Sequence, residues 1–159
     1  IPKVSFIGSY AFAFCYSLNE ISVPECSEMG SYCFSHCSAL TSINLPKLNR
    51  AGMYVFTDCS SLLEVNLPMI SSLGNYAFNS CINLHTVSLS GTISSIGTYT
   101  FKGCFNLLSV YLNTSSVITL TTNAFYSTPI SNYSTSTAGV YGSIYVPASL
   151  YEDYIASAN

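Results

Sequence analysis

The side chains with the most chemistry to offer are seven cysteines, two histidines and seven carboxylates. Thiolate and imidazole are zinc ligands, so the tightest cluster, Cys33-Phe34-Ser35-His36-Cys37, is the natural metal candidate. A closed zinc site needs four ligands, and Cys-x3-Cys with one histidine lacks a second pair at similar spacing. The two histidines, His36 and His85, fall at unrelated positions. Two carboxylates, Glu20 and Glu64, recur at one position of a repeating pattern, which raises the chemistry of an acid–base pair. Two repeats apart, they would stand roughly 9–10 Å from each other, near the upper end of the spacing of about 6.5–9.5 Å used by inverting glycosidases. Ser42 lies between them with no supporting pattern, so they read as solvated charges. The chain has no G-x-S-x-G, no phosphate loop and no metal-binding helix motif. The expectation is therefore no catalysis, no metal and no cofactor.

What must position these residues is a repeat. Ile7 to Pro24 (IGSYAFAFCYSLNEISVP) returns at Met29 to Pro46, Ala51 to Pro68, Leu73 to Ser90 and Ile96 to Asn113. A period of 22 to 23 residues is the mark of a solenoid, in which each recurring position becomes a ladder of like side chains. Gly8, Gly30, Gly52, Gly74 and Gly97 form one column, expected where a turn tolerates only a residue without Cβ. Two places on stand Tyr10, Tyr32, Tyr54, Tyr76 and Tyr99, then Phe12, Phe34, Phe56, Phe78 and Phe101, with Phe125 a sixth phenylalanine. Stacked rings bury large areas and add about 0.5–1.5 kcal/mol per pair.

The cysteines fall into this scheme. Cys15, Cys37, Cys59, Cys81 and Cys104 form a column, while Cys26 and Cys33 occupy slots that are apolar in most other repeats. Such positions suit a thiol acting as a small hydrophobe. Strands stack about 4.7–4.9 Å apart, but disulfide Cβ atoms prefer about 3.8 Å, and an odd count cannot pair fully. Reduced, buried thiols are the favoured reading over a disulfide or a metal site.

Each repeat carries a period-two stretch, such as Ile43-x-Leu45 and Val65-x-Leu67, which predicts a short strand with its apolar side inward. In-register repeats would pair these strands in parallel as one continuous sheet, each strand stopped by the proline that follows. From that proline to the next glycine the chain reads as a loop. Tyr-x-Phe-x-x-Cys then turns back, as a short helical turn or a second short strand. Outward strand positions are small and polar: Glu20 and Ser22, Ser42 and Asn44, Glu64 and Asn66, Thr86 and Ser88. At the C-terminal end Tyr111 and Tyr145 break that rule. Tyrosine offers contact area at low entropic cost, so Tyr111, Tyr145 and the loop around Tyr133, with Glu64 and Asn66, form the candidate partner-binding surface.

Composition narrows the partners. Hydrophobic residues make up 49% and charged ones 7%, with a net charge of −3 and no basic tract; nucleic acid is an unsuitable partner. No apolar run reaches the roughly 18 residues needed to span a bilayer, and no stretch of this sequence reads as a signal peptide. Pro2, Pro24, Pro46 and Pro68 lie 22 apart, so Ile1-Pro2 reads as the end of a preceding repeat, with residues 1–6 a truncated unit. An uncapped first repeat exposes its core, which predicts self-association at that end. Beyond the repeats of residues 7–127 come a Ser/Thr-rich excursion at 128–142, then a last strand and a helix within 143–159. The helix, with Leu150, Tyr154 and Ile155 on one side, is expected to cap the array. Sequons at Asn113 and Asn132 matter only in a source that glycosylates asparagine.

The pattern IGxYAFxxCxxLxxIxLP resembles the BspA-like leucine-rich repeats. The resemblance covers roughly residues 1–147 and implies a leucine-rich repeat solenoid, right-handed and curved, built mostly of short parallel strands, turns and short helical segments. It implies a single domain with the strands on its concave face. It also implies an extracellular, cell-surface protein that adheres to a protein or glycan of a host or neighbouring cell. A structural spacer within a larger surface protein is the alternative.

Overall fold

The computed structural model describes residues 3–121, 123–131 and 142–157. Tyr133, Asn132 and most of the excursion at 128–142 lie outside the described residues. The chain winds as a parallel β-solenoid with two ladders of strands. Short strands before each glycine make the first: β1 (Phe6–Ile7), β3 (Glu28–Met29), β5 (Arg50–Ala51) and β7 (Ser72–Leu73) form one sheet, β9 (Ser95–Ile96) and β11 (Thr119–Leu120) a second. The I-x-L stretches make the other: β2 (Glu20–Ser22), β4 (Ser42–Asn44), β6 (Glu64–Leu67), β8 (Thr86–Gly91), β10 (Ser109–Thr114) and β12 (Ser143–Tyr145). Every pairing is parallel, and equivalent residues oppose one another, Val65↔Val87 and Val87↔Val110 among them.

Three expectations change. The stretch between proline and glycine is not only loop, because its last two residues pair with the next repeat. The long strands do not form one sheet: β2 and β4 pair alone, and β6, β8, β10 and β12 form a separate four-stranded sheet. Pro46 and Pro68 remove backbone donors and cut β4 and β6 short. Where Ser90 and Asn113 replace proline, β8 and β10 run to six residues. Finally, Tyr-x-Phe-x-x-Cys is neither helix nor strand but a chain of turns. Its alternate backbone N–H groups donate to the following repeat, as in Phe12 N–H to Cys33 O at 2.8 Å and Phe34 N–H to Val55 O at 2.8 Å.

The glycine column has a different cause from the one expected. A Cβ on Gly52 would stand 2.5 Å from Ser31 N, and one on Gly74 2.5 Å from the Gly52 carbonyl carbon. Successive turns touch there, backbone to backbone. The left-handed conformation falls instead on the tyrosines, with φ of 62° at Tyr10, 60° at Tyr32, 57° at Tyr54, 59° at Tyr76 and 55° at Tyr99. It falls again four residues on, at Phe14, His36, Asp58 and Ser80. Such a backbone costs of order 1–3 kcal/mol per residue outside glycine, so the surrounding contacts must over-determine it.

Those contacts are the ladders. Phe34, Phe56, Phe78 and Phe101 are fully buried, as are Leu40, Leu62, Leu84 and Leu107. Phenylalanine centroids step through the core at 4.9 to 5.6 Å, and Phe125 extends the series at 5.3 Å from Phe101. At the far end a 3-10 turn, Ala148–Leu150, leads into α1 (Tyr151–Ser157). Tyr154 packs on the core, and its hydroxyl oxygen accepts the Ile118 N–H at 2.9 Å.

Candidate functional site on the strand face

The alternation of each long strand drives valine and leucine inward and leaves two polar columns outside. One is Glu64, Thr86, Ser109 and Ser143, the other Asn66, Ser88, Tyr111 and Tyr145, all held in register on β6, β8, β10 and β12. Glu20, Ser22, Ser42 and Asn44 continue the same face on β2 and β4. Strands about 4.8 Å apart put Asn66 roughly 10 Å from Tyr111. The face thus brings four of the five candidate residues onto one sheet; Tyr133 is outside the described residues.

The two tyrosines stack on each other, centroids 4.6 Å apart and planes 12° from parallel, and remain 37% and 47% exposed. Beside them Asn113 Nδ2 donates to Ser88 Oγ at 3.3 Å. Toward the other end, Asn44 Nδ2 donates to Ser22 Oγ at 3.4 Å. Between these ends the face dips. Ser42, Glu64, Asn66, Thr86 and Ser88 line one shallow open depression, and Leu63, Glu64 and His85 line another. Leu63 is 50% exposed. His85 is exposed, with Nδ1 2.5 Å from Asn83 O. Sequence reasoning weighs His85 only as a catalytic or metal-binding histidine and places neither on this face, although both share the column that precedes the strand (Asn19, Thr41, Leu63, His85), whose residues face outward.

The zinc candidate is not assembled. Cys33 and Cys37 are fully buried, and the Cys37 thiol donates to Phe12 O at 3.0 Å. His36 lies at the surface, stacked on Phe14 at 4.8 Å, with Nδ1 3.7 Å from Asp58 Oδ2. Among the described residues no three His, Cys, Asp or Glu side chains gather as a metal site. All seven cysteines are free thiols. Removal from water pushes the Cys33 thiol up to about 12 and the Cys37 thiol up to about 11. Such thiols are poor nucleophiles. Glu20 and Glu64 sit on separate sheets with Ser42 between their strands.

A stack of in-register turns carrying a polar strand face defines a solenoid repeat protein, a scaffold class whose function lies in its surface. The family model for BspA type leucine-rich repeat regions matches residues 1–71 and 27–141, in six copies. The chain belongs to that family. Among solved structures it is similar to the leucine-rich repeat protein of T. pallidum, with 26% identity, a TM-score of 0.63, 74% of this chain covered and 67% of that one. A leucine-rich repeat protein from Bacteroides ovatus shares the fold at 20% identity and a TM-score of 0.54, over 76% of this chain and 41% of that one. The chain thus spans about two thirds of the first protein and two fifths of the second. No curated protein matches.

Proposed function

We propose that the chain is a non-enzymatic binding module of a bacterial surface protein, which recognises a protein partner through its strand face. The observation that carries this reading is the Tyr111–Tyr145 stack, half exposed at the end of a row of amides and hydroxyls. Stacking uses one of the two faces of each ring that a sugar would need, and leaves edges and hydroxyls toward a ligand. Edges and hydroxyls suit a polypeptide better than a pyranose, so protein is favoured over glycan. Glu64 and Asn66 supply acceptors and an amide donor along the same face. Family membership supports the surface assignment, since BspA-type proteins are generally surface-associated in bacteria.

The test is an array of extracellular-matrix proteins and glycans probed with the purified chain and with Y111S/Y145S. Binding to proteins, lost in the double variant, supports the reading. Equal binding by both chains would remove the tyrosines from it, and no binding at all would favour a spacer role. A second contact rests on the first repeat, where Phe6 on β1 and Tyr10, Phe14 and Tyr16 in the turns after it are each more than half exposed. Two copies would associate through them, a point that sedimentation of F6S/F14S against the parent chain decides.

A further inference from the structure

On the face formed by the tight turns, five tyrosines make a second, longer stack. Centroids of Tyr10, Tyr32, Tyr54, Tyr76 and Tyr99 step by 4.9, 4.7, 4.6 and 5.2 Å, with planes 3°, 7°, 8° and 29° from parallel. The last four are half-buried, and Tyr10 is exposed. Backbone bonds fix the repeats in phase: Tyr32 N–H donates to Met53 O at 2.9 Å and Tyr54 N–H to Asn75 O at 3.0 Å. Equivalent rings stack with nearly parallel planes, which brings the carbons ortho to one hydroxyl against the next ring. These are the carbons that carry the unpaired spin of a phenoxyl radical. Most of the thiols are withdrawn, because Cys37, Cys59, Cys81 and Cys104 are fully buried and donate to phenylalanine carbonyls.

We propose that this ladder is an oxidative cross-linking site, at which a haem peroxidase using hydrogen peroxide joins adjacent tyrosines and so staples neighbouring repeats together. Each of two tyrosines loses one electron and its phenolic proton. The two radicals form one carbon–carbon bond between ortho carbons, and the hydrogens on those carbons return to the oxygens as the rings regain aromaticity. The two electrons and two protons released reduce one peroxide to two waters. The product is the same chain, two hydrogens lighter. Held side by side, the rings react without a bimolecular search, which in dilute solution favours links within the molecule over links between molecules. The proposal is independent of partner binding by the strand face.

The test treats dilute Y111F protein, in which the other stacked tyrosine pair is removed, with haem peroxidase and hydrogen peroxide. Expected are the blue dityrosine emission, a monomer lighter by two hydrogens, and linked peptides containing Tyr32, Tyr54 and Tyr76. Adding Y32F/Y76F keeps every ring in the stack but leaves no two ladder tyrosines adjacent. It should lower the yield of linked monomer on the order of tenfold or more, as should denaturing the Y111F chain before oxidation. Linked peptides that map outside the ladder, or an unchanged yield in Y111F/Y32F/Y76F, would overturn the proposal.

Discussion

The Cys59 thiol donates to the carbonyl oxygen of Phe34, one repeat back, at 3.2 Å. The same bond joins Cys37 to Phe12 at 3.0 Å, Cys81 to Phe56 at 3.1 Å and Cys104 to Phe78 at 3.1 Å. Cysteine recurs at this position because a small, weakly polar side chain both fills the core and donates a second hydrogen bond to a carbonyl that already accepts the backbone N–H three residues on, as Phe34 O accepts that of Cys37 at 3.2 Å.

That bond implies graded reactivity. Cys15 is half-buried, whereas the other six thiols are buried. A thiol-specific alkylating reagent should label Cys15 first in the native protein and all seven only after unfolding. Mass spectrometry of the labelled peptides reads the order. Early labelling of Cys81 would contradict the ladder.

Stability should fall at alkaline pH. Burial is the main cause that pushes Cys33 from 9.0 to about 12 and Cys37 to about 11, with neighbouring thiols adding to each. Cys59, Cys81 and Cys104 are pushed up as well, again chiefly by burial. In the unfolded chain the thiols lose protons from about pH 9, while in the folded chain they keep them, so the unfolded state binds fewer protons and gains with rising pH. The stabilisation is complete below about pH 9 and is lost progressively toward pH 12. Urea midpoints measured under reducing conditions between about pH 8 and pH 11 should decline, and less steeply in Cys37→Ala.

Two glycines of one column should respond unequally. Gly52→Ala places a Cβ against the Ser31 backbone, whereas a Cβ on Gly8 meets nothing within 4 Å. The first substitution should cost about 1–3 kcal/mol by overpacking, and the second should stay within about 0.5 kcal/mol. Denaturant titration distinguishes them, and equal effects would mean that turn conformation rather than contact selects glycine.

At the capped end, Tyr154→Phe removes the acceptor of the buried Ile118 N–H. Leaving a buried donor unsatisfied costs about 1–3 kcal/mol. Amide exchange at Ile118 should quicken in this variant while exchange at Val65 is unchanged.

The ladders of Phe34, Phe56 and Phe78 were legible in the sequence because burial depends on the kind of side chain, and like residues recurred at like spacing. So was the strand face carrying Tyr111 and Tyr145, since strand alternation assigns every other residue outward. The left-handed backbone at Tyr54 was not legible, because local preference would have placed glycine there and only the stacked neighbours hold tyrosine in it. The two-residue strands such as Glu28–Met29 were hidden for a related reason. Each is too short to show a period, and its pairing partner lies a full repeat away. The His36–Asp58 pairing was obscured because its column mixes Phe14, His36, Asp58 and Ser80 and shares a backbone shape instead of a chemistry.

Up to Phe125 the repeat length changes in only one kind of place. Leu67 opposes Leu89 at an offset of 22, but Leu89 opposes Leu112 at 23, and the added residue is absorbed at the end of β8, where its last residue Gly91 takes a φ of 89°. The glycine contacts and stacked rings hold the rest of each turn to a fixed length. A foreign peptide spliced into the bend after β8 or β10 would therefore protrude without putting later turns out of phase, whereas a single residue added between Tyr54 and Cys59 would. Those bends are the natural grafting points of the scaffold.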